Sequence, residues 1–219
     1  FLSTEADSFW LPDTSGTDYR RNHVKSTIII ADVDPESQRL GYFHNAGYFE
    51  LEGEDFRRTF RLEVVTEGTL PLFAELIRVD RVLRRPEGEL AEWAQRRLSV
   101  HLSRRPRSNP IARFGAAFAA ELPAMQERGL AHYHAWAFAT TRQLGACAEL
   151  LSLHLQWLGD ALGDDRYREA SGRIAKVSAA AKTFILKAAR AVNARKPFEA
   201  SETFAEMAAD WDAGLAQVG

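Results

Sequence analysis

The spacing of apolar residues changes along the chain at Pro86. Before Pro86, short stretches rich in β-branched and aromatic residues alternate with turn residues, which is typical of strands. After Pro86, apolar residues recur every three or four positions, which indicates amphipathic helices. We therefore predict an α+β protein with a β-rich half at residues 1–85 and a helical bundle at residues 86–219.

The clearest predicted strand covers residues 27–33, because its β-branched run matches a strand buried on both faces. A turn at residues 34–37 and a second strand at residues 39–44 complete a predicted hairpin. Shorter strands are predicted at residues 1–4, 8–11, 48–51 and 73–81, with a short helix at residues 54–60.

The second half predicts a bundle of about five helices. They are expected at residues 87–102, 111–128, 130–158 and 166–193, and from about Ser201, which is suited to be an N-cap. The arginine-rich loop at residues 104–110 is interpreted as a solvated connector, with a docking patch as the alternative.

Composition narrows the classes of partner. The net charge of −2 gives no electrostatic reason to expect nucleic acid or an anionic membrane as a partner. The apolar runs are too short to span a membrane, and the first residues lack the features of a signal peptide. The single cysteine, Cys147, excludes an internal disulfide and predicts a reducing, cytoplasmic environment. The oligomeric state stays open.

Polar residues stand at the mouth of the predicted hairpin. His23 precedes the strand at residues 27–33, and Asn45 follows the strand at residues 39–44. Because the start of one hairpin strand lies near the end of the other, we expect His23 and Asn45 at one edge of the sheet. An imidazole oriented by a carboxamide is the base part of a cysteine-type triad. The alternative is that both residues are ordinary loop residues bonded to backbone groups.

Further polar residues are candidates for substrate binding. Asp7, Tyr19, Lys25 and Ser26 crowd into the same stretch as His23. Arg142, beside the apolar stripe of the long helix, is interpreted either as a surface salt-bridge residue or as a clamp for an anion such as a phosphopantetheine phosphate.

The sequence offers no obvious nucleophile, metal or cofactor. Cys147 lies within a predicted helix among small residues, so we expect it to pack as a small hydrophobe. His132 and His134 diverge on a helix because they are two residues apart, and no metal-ligand spacing is present. Gly-x-Ser-x-Gly and nucleotide-binding motifs are absent from the sequence.

Several motifs resemble an uncharacterised bacterial family. They are Leu-Pro-Asp-Thr, Tyr-x-x-x-His-x-Lys and Tyr-Phe-His-Asn-Ala-Gly-Tyr in the first half, and Tyr-His-Ala-x-Ala-Phe-Ala-Thr-x-Arg-Gln at residues 133–143. The resemblance covers nearly the whole chain. Members of that family tend to occur beside stand-alone ligases that load amino acids onto carrier proteins. The resemblance therefore implies an acyl or aminoacyl carrier protein, with its phosphopantetheine arm, as the partner.

A more distant resemblance is carried by Asn45-Ala46-Gly47 together with Glu54-Asp55-Phe56. These residues are similar to the N-terminal domains of butirosin-type acyltransferases and, through them, to papain-like bacteriocin-processing peptidases. The resemblance implies a papain-like antiparallel sheet and a nucleophilic Cys in a segment upstream of Phe1. The family's His position falls nearer Ser26 than His23, so either His23 serves through a shifted register or the base is lost.

The function expected from these resemblances is acyl or aminoacyl transfer from a carrier-protein thioester. Two alternatives stay open. One is a non-catalytic papain-like module that binds a carrier protein or a ligase, and the other is a cysteine peptidase-like hydrolase.

Overall fold

A computed structural model gives the fold and describes residues 1–62 and 71–219. The chain divides into two compact units, Phe1–Arg84 and Arg85–Gly219, each with its own hydrophobic core. The first unit contains an antiparallel sheet and the second is helical. The predicted α+β arrangement of a small antiparallel sheet followed by a helical bundle is confirmed.

The first unit is built on a five-stranded sheet. Its strands are β1 (Leu2–Asp7), β2 (Lys25–Asp34), β3 (Arg39–His44), β4 (Gly47–Glu52) and β5 (Ala74–Leu76). Their order is β4-β3-β2-β1-β5, and each neighbouring pair is antiparallel. Short 3-10 helices lie at Ser8–Trp10, Pro12–Thr14 and Val79–Arg81, and helix α1 covers Gly53–Thr59.

One face of the sheet is buried against the first two 3-10 helices and α1. Its core consists of Ala6, Leu11, Ile28, Leu40, Tyr42, Leu51 and Phe56. On the opposite face, Phe43 and Tyr48 form an exposed cross-strand aromatic pair with ring centroids 5.3 Å apart. The Tyr48 ring covers Gly41, where any Cβ atom would collide with the Tyr48 hydroxyl.

Two predicted strands of this unit differ from the structure. Residues 8–10 were expected to be extended but form a 3-10 helix, because the Asp7 carboxylate accepts the backbone N–H of Phe9 at 3.1 Å and caps the turn. The strand expected at residues 73–81 is limited to Ala74–Leu76 and is followed by the 3-10 helix Val79–Arg81. The prediction was therefore wrong for residues 8–10 and too long for the last strand.

The second unit contains six helices. They are α2 (Glu87–Ser103), α3 (Pro110–Arg128), α4 (Leu130–Ala139), α5 (Thr141–Leu162), α6 (Asp165–Ala194) and α7 (Ser201–Val218). The long helix α6 packs against both α5 and α7. At the centre, the Phe184 ring lies 4.8 Å from the ring centroids of both Phe118 and Phe204. Among the described residues, no helix is both long and apolar enough to cross a membrane.

The single helix predicted over residues 130–158 is interrupted at Thr140. The backbone of Thr140 leaves the helical region, with φ −125° and ψ −85°. Its Oγ1 donates a hydrogen bond of 2.7 Å to the Trp136 carbonyl, a local bond that competes with regular helix geometry. The bundle therefore has six helices rather than about five.

Candidate functional site

Ser26, His44 and Asp13 meet at the end of the sheet where β2 begins and β3 ends. Ser26 lies two residues before the buried Ile28, and His44 lies two residues after the buried Tyr42, so both side chains belong to the covered face. Asp13 comes from the 3-10 helix Pro12–Thr14, which packs over that face.

The three side chains form a hydrogen-bonded chain. His44 Nδ1 lies 2.6 Å from Asp13 Oδ2, and His44 Nε2 lies 2.7 Å from Ser26 Oγ. Because an ionised carboxylate only accepts, Nδ1–H donates to Asp13, and Nε2 is then free to accept the Ser26 hydroxyl proton. This is the order of groups found in Ser-His-Asp triads, in which the base faces the hydroxyl and the carboxylate orients the base.

Asp13 is held from both sides. The Tyr42 hydroxyl donates to Asp13 Oδ1 at 2.6 Å, while the imidazole uses the other carboxylate oxygen. Burial, followed by the bond to Asp13, raises the pKa of Tyr42, so its phenol stays protonated and donates. Thr14 Oγ1 lies 2.8 and 2.9 Å from the carbonyl oxygens of Ser8 and Leu11 and shares its one proton between them, which fixes the 3-10 segment that carries Asp13.

The chain of groups runs from the interior toward solvent. The side chains of His44 and Asp13 are only 5% and 4% exposed, whereas Ser26 is partly exposed. Asn45, in the β3–β4 turn, is exposed and has a left-handed backbone with φ 51°. Its Nδ2 lies 3.4 Å from both ring nitrogens of His44. The carboxamide therefore lies beside the imidazole at the open end of the network.

The structure does not join His23 to Asn45. His23 Nδ1 instead lies 2.6 Å from Asp7 Oδ2, and its ring stacks on Phe9 with centroids 4.2 Å apart. The His23 side chain is 65% exposed. The two residues expected to form a base and its orienting group therefore have different partners, and Asn45 accompanies His44.

Sequence reasoning missed His44 and Asp13. One signal for His44 was available, because it alternates with Leu40 and Tyr42 along β3 and so falls on the buried face. A buried imidazole needs hydrogen-bond partners, so an acidic or hydroxyl side chain is expected beside it. Asp13 has no such periodicity, although it lies in the Leu-Pro-Asp-Thr motif, as His44 lies in Tyr-Phe-His-Asn-Ala-Gly-Tyr. Their contact depends on how the 3-10 segment folds back over the sheet.

Three of the predicted site residues are brought together. Asp7, His23 and Lys25 line a cavity of about 220 Å³ at the same end of the sheet, together with Glu5 and Arg61. The Lys25 ammonium pairs with the Glu5 carboxylate, and this bond lowers the pKa of Glu5. Side chains of neighbouring strand residues alternate in direction, so Lys25 and Ser26 face opposite sides of β2.

Tyr19 and Arg142 line neither the Ser26-His44-Asp13 network nor the cavity beside His23. The Tyr19 hydroxyl donates to Asp55 Oδ2 at 2.8 Å, which links the loop before β2 to helix α1. Arg142 belongs to the helical unit, where its guanidinium lies 4.6 Å from the centroid of the Phe138 ring.

Cys147 is exposed on α5, so the prediction that it packs as a small hydrophobe was wrong. Thiol chemistry at this position gains no support from the fold, because Cys147 lies inside the helix and away from its N-terminus. Within the described ranges, residues 1–62 and 71–219, no cluster of three or more His, Cys, Asp or Glu side chains is arranged to hold a metal ion.

Comparison with known proteins identifies a family but gives no activity. Residues 1–79 match the DUF1839 N-terminal domain, and residues 87–218 match the DUF1839 C-terminal domain. No curated protein and no solved structure gives a significant match. Together the two domain models cover almost the whole sequence, and the chain therefore belongs to the DUF1839 family.

Proposed function

We propose that the N-terminal unit catalyses acyl transfer with Ser26 as nucleophile, His44 as general base and Asp13 as the residue that orients the base. The observation that carries this proposal is the unbroken chain of short contacts, 2.7 Å from Ser26 Oγ to His44 Nε2 and 2.6 Å from His44 Nδ1 to Asp13 Oδ2. A nucleophile within reach of a base that a third group orients is the arrangement required for covalent catalysis.

The proposed substrate is an acyl or aminoacyl thioester carried by a carrier protein. Ser26 Oγ attacks the thioester carbonyl carbon while its proton passes to His44 Nε2. The C–S bond then breaks, and the leaving sulfur takes that proton. In the second step, an acceptor amine, hydroxyl or water attacks the acyl-serine, gives its proton to His44, and Ser26 Oγ recovers a proton as the product leaves.

Asn45 supplies the remaining group that such a reaction needs. Its carboxamide nitrogen lies 3.4 Å from the imidazole nitrogen that faces Ser26, at the exposed end of the site. In this proposal, Asn45 donates an N–H to the oxyanion that forms on the attacked carbonyl. Asp7, His23 and Lys25 line a cavity at the same end of the sheet but on the opposite side of β2 from Ser26. In this proposal they contact the outer part of the substrate's arm, where it passes the end of the sheet, rather than the reacting carbonyl.

The proposal is tested by labelling the purified protein with a fluorophosphonate, which reacts with activated serines. We expect one adduct on Ser26, located by peptide mass spectrometry. Ser26→Ala should abolish the adduct, and His44→Gln should slow its formation by about a thousandfold, as expected when a general base is lost. The same variants should fail to release free carrier protein from acyl and aminoacyl thioesters.

Matched controls distinguish activation of Ser26 by His44 from the ordinary reactivity of exposed side chains. Ser37→Ala removes an exposed serine bonded to Asp34 and should leave labelling unchanged. His23→Ala removes the exposed histidine at the neighbouring cavity, and its labelling rate should stay close to that of the wild type. Labelling that survives Ser26→Ala, or the absence of labelling and thioester loss in the folded wild type, would contradict the proposal.

A non-catalytic binding module is the second candidate. The observation in its favour is that the side chains of Asp13 and His44 are almost fully buried and that Asp13 also binds Tyr42, so the network holds the 3-10 segment against the sheet. On this alternative, the wild type binds a carrier protein without turnover, and Ser26→Ala changes only the melting temperature. Measuring binding and thioester loss on the same samples distinguishes the two functions.

A further inference from the structure

An apolar cavity in the helical unit lies where α3, α7 and the α4–α5 break meet. It has a volume of about 340 Å³, within the range of small-molecule sites. It is lined by Pro110, Ile111, Phe114, Thr140, Leu144 and Trp211. Its lining is almost entirely apolar, so it suits a hydrocarbon or another apolar body.

The apolar cavity continues into a basic one. A second cavity of about 340 Å³ shares Pro110 and Trp211 with the first and is also lined by Arg105 and Arg107. A larger cavity of about 570 Å³ shares Arg105 and Arg107 with the second and is also lined by Leu102 and Gly219. We call the first two cavities the α3–α7 groove. One end of this groove is apolar, and the other end carries two cations.

The loop that carries the arginines is fastened at its end. Asn109 Oδ1 accepts the backbone N–H groups of Ile111 and Ala112, at 2.8 and 3.1 Å, and caps α3. Its Nδ2 donates to the Ala208 carbonyl on α7 at 3.0 Å. The basic end of the groove is therefore held against both helices that form its walls.

The polar groups along the groove are available to a ligand. Neither the Arg105 nor the Arg107 guanidinium forms an ion pair with another residue that the structure describes, although the exposed Asp212 also lines this part of the groove. The Trp211 indole N–H, at the junction of the two cavities, donates to no other described residue. Unpaired guanidinium groups are strong donors to carboxylate and phosphate oxygens.

We propose that the α3–α7 groove binds an organic anion with an apolar tail. The carboxylate or phosphate head lies between Arg105 and Arg107, and the tail extends past Trp211 into the pocket formed by Phe114 and Leu144. This binding is independent of the chemistry proposed at Ser26.

The test uses isothermal titration calorimetry on the full chain with decanoate, decyl phosphate and decanol as probes. We expect both anions to bind at least about tenfold more tightly than decanol, because only they engage the guanidinium groups. The tighter of the two anions identifies the head group. Hexanoate should bind at least about tenfold more weakly than decanoate, because four fewer methylene groups are buried.

Variants assign the binding to the groove. Arg105→Ala combined with Arg107→Ala should reduce the affinity for the anions to that for decanol and leave decanol binding unchanged. Arg104→Ala is the matched control, because Arg104 belongs to the same loop but does not line the groove, and its affinities should equal those of the wild type. Ser26→Ala should also bind normally, which separates this inference from the proposed catalysis.

Two results would overturn the inference. One is the absence of saturable binding by the folded wild type to either anion. The other is equal binding of decanol and the anions, which would remove the assigned role of Arg105 and Arg107.

Discussion

At the scale of single residues, Asp13 determines what His44 can do. One carboxylate oxygen accepts from the imidazole and the other accepts from the Tyr42 phenol, in a site that is almost closed to solvent. A carboxylate held in this way keeps the proton on Nδ1 of the imidazole and leaves Nε2 facing Ser26 as an acceptor. The network therefore selects one tautomer of His44.

Replacing Asp13 with Asn tests this tautomer selection. The amide keeps the size of the side chain but can donate to Nδ1, which favours a proton on Nε2 and removes the acceptor facing Ser26. We expect fluorophosphonate labelling of Ser26 to slow by about a hundredfold to ten-thousandfold. Asp7→Asn changes the partner of His23 and keeps an acceptor oxygen for the N–H of Phe9, so it should label at the wild-type rate. Equal rates for wild type and Asp13→Asn would contradict the assigned role of Asp13.

The sequence predicted the end of the sheet at which the Ser26-His44-Asp13 network lies, but it pointed to His23 and not to His44. His23 was predicted to be the base because it precedes a clear strand, and the strand pairing does place it at the same end of the sheet as Asn45. His44 lies inside a strand, where alternation predicts burial, and a buried histidine is usually interpreted as part of the core. Its two partners come from segments 31 and 18 residues away along the chain, and such distances are set by tertiary structure alone.

At the scale of elements, apolar spacing predicted most helices and strands well. Helix α6 (Asp165–Ala194) differs from its predicted bounds by one residue at each end, because its apolar stripe is regular. The break at Thr140 could not be seen, because the apolar positions continue with helical spacing from Tyr133 through Leu144 on either side of it. Periodicity reports which face is buried and is insensitive to a single residue that leaves helical geometry.

Asn109 links two elements, and its removal tests how strongly they depend on it. Asn109→Ala deletes the cap of α3 and the bond to the Ala208 carbonyl on α7. We expect a loss of about 1–2 kcal/mol in the free energy of unfolding, measured by urea denaturation followed by circular dichroism. Ser108→Ala, at the exposed neighbouring position, should change it by less than about 0.5 kcal/mol. A similar value for the two variants would show that the cap contributes little.

At the scale of the whole molecule, each unit buries a tyrosine that responds to alkaline pH. Tyr42 lies in the first unit, and Tyr133 lies in the second, where its hydroxyl donates to the Ile185 carbonyl at 2.9 Å. Burial raises the pKa of Tyr133 to about 12. An unfolded tyrosine ionises near pH 10, so the unfolded state binds fewer protons between pH 10 and 12, and the folded state loses stability as pH rises through that range.

Tyr133→Phe tests this pH dependence. At pH 8 the variant should be less stable by about 1 kcal/mol, because the Ile185 carbonyl loses its donor. Between pH 8 and pH 11 the free energy of unfolding should fall by about 1 kcal/mol less in the variant than in the wild type, because the variant has no phenol to ionise at position 133. Urea denaturation at both pH values, followed by helical circular dichroism, measures this difference. Equal losses of stability in the two proteins would show that the pKa of Tyr133 is the same in the folded and unfolded states.

The strand order has a consequence for how the chain is synthesised and folds. β1 lies between β2 and β5. During synthesis β2 leaves the ribosome soon after β1, whereas β5 follows only when residues 74–76 leave it. During that interval, the outer edge of β1 presents unpaired N–H and C=O groups that another chain can capture. Rapid elongation through residues 8–76, or a chaperone that covers this edge, should therefore reduce intermolecular strand pairing in nascent chains.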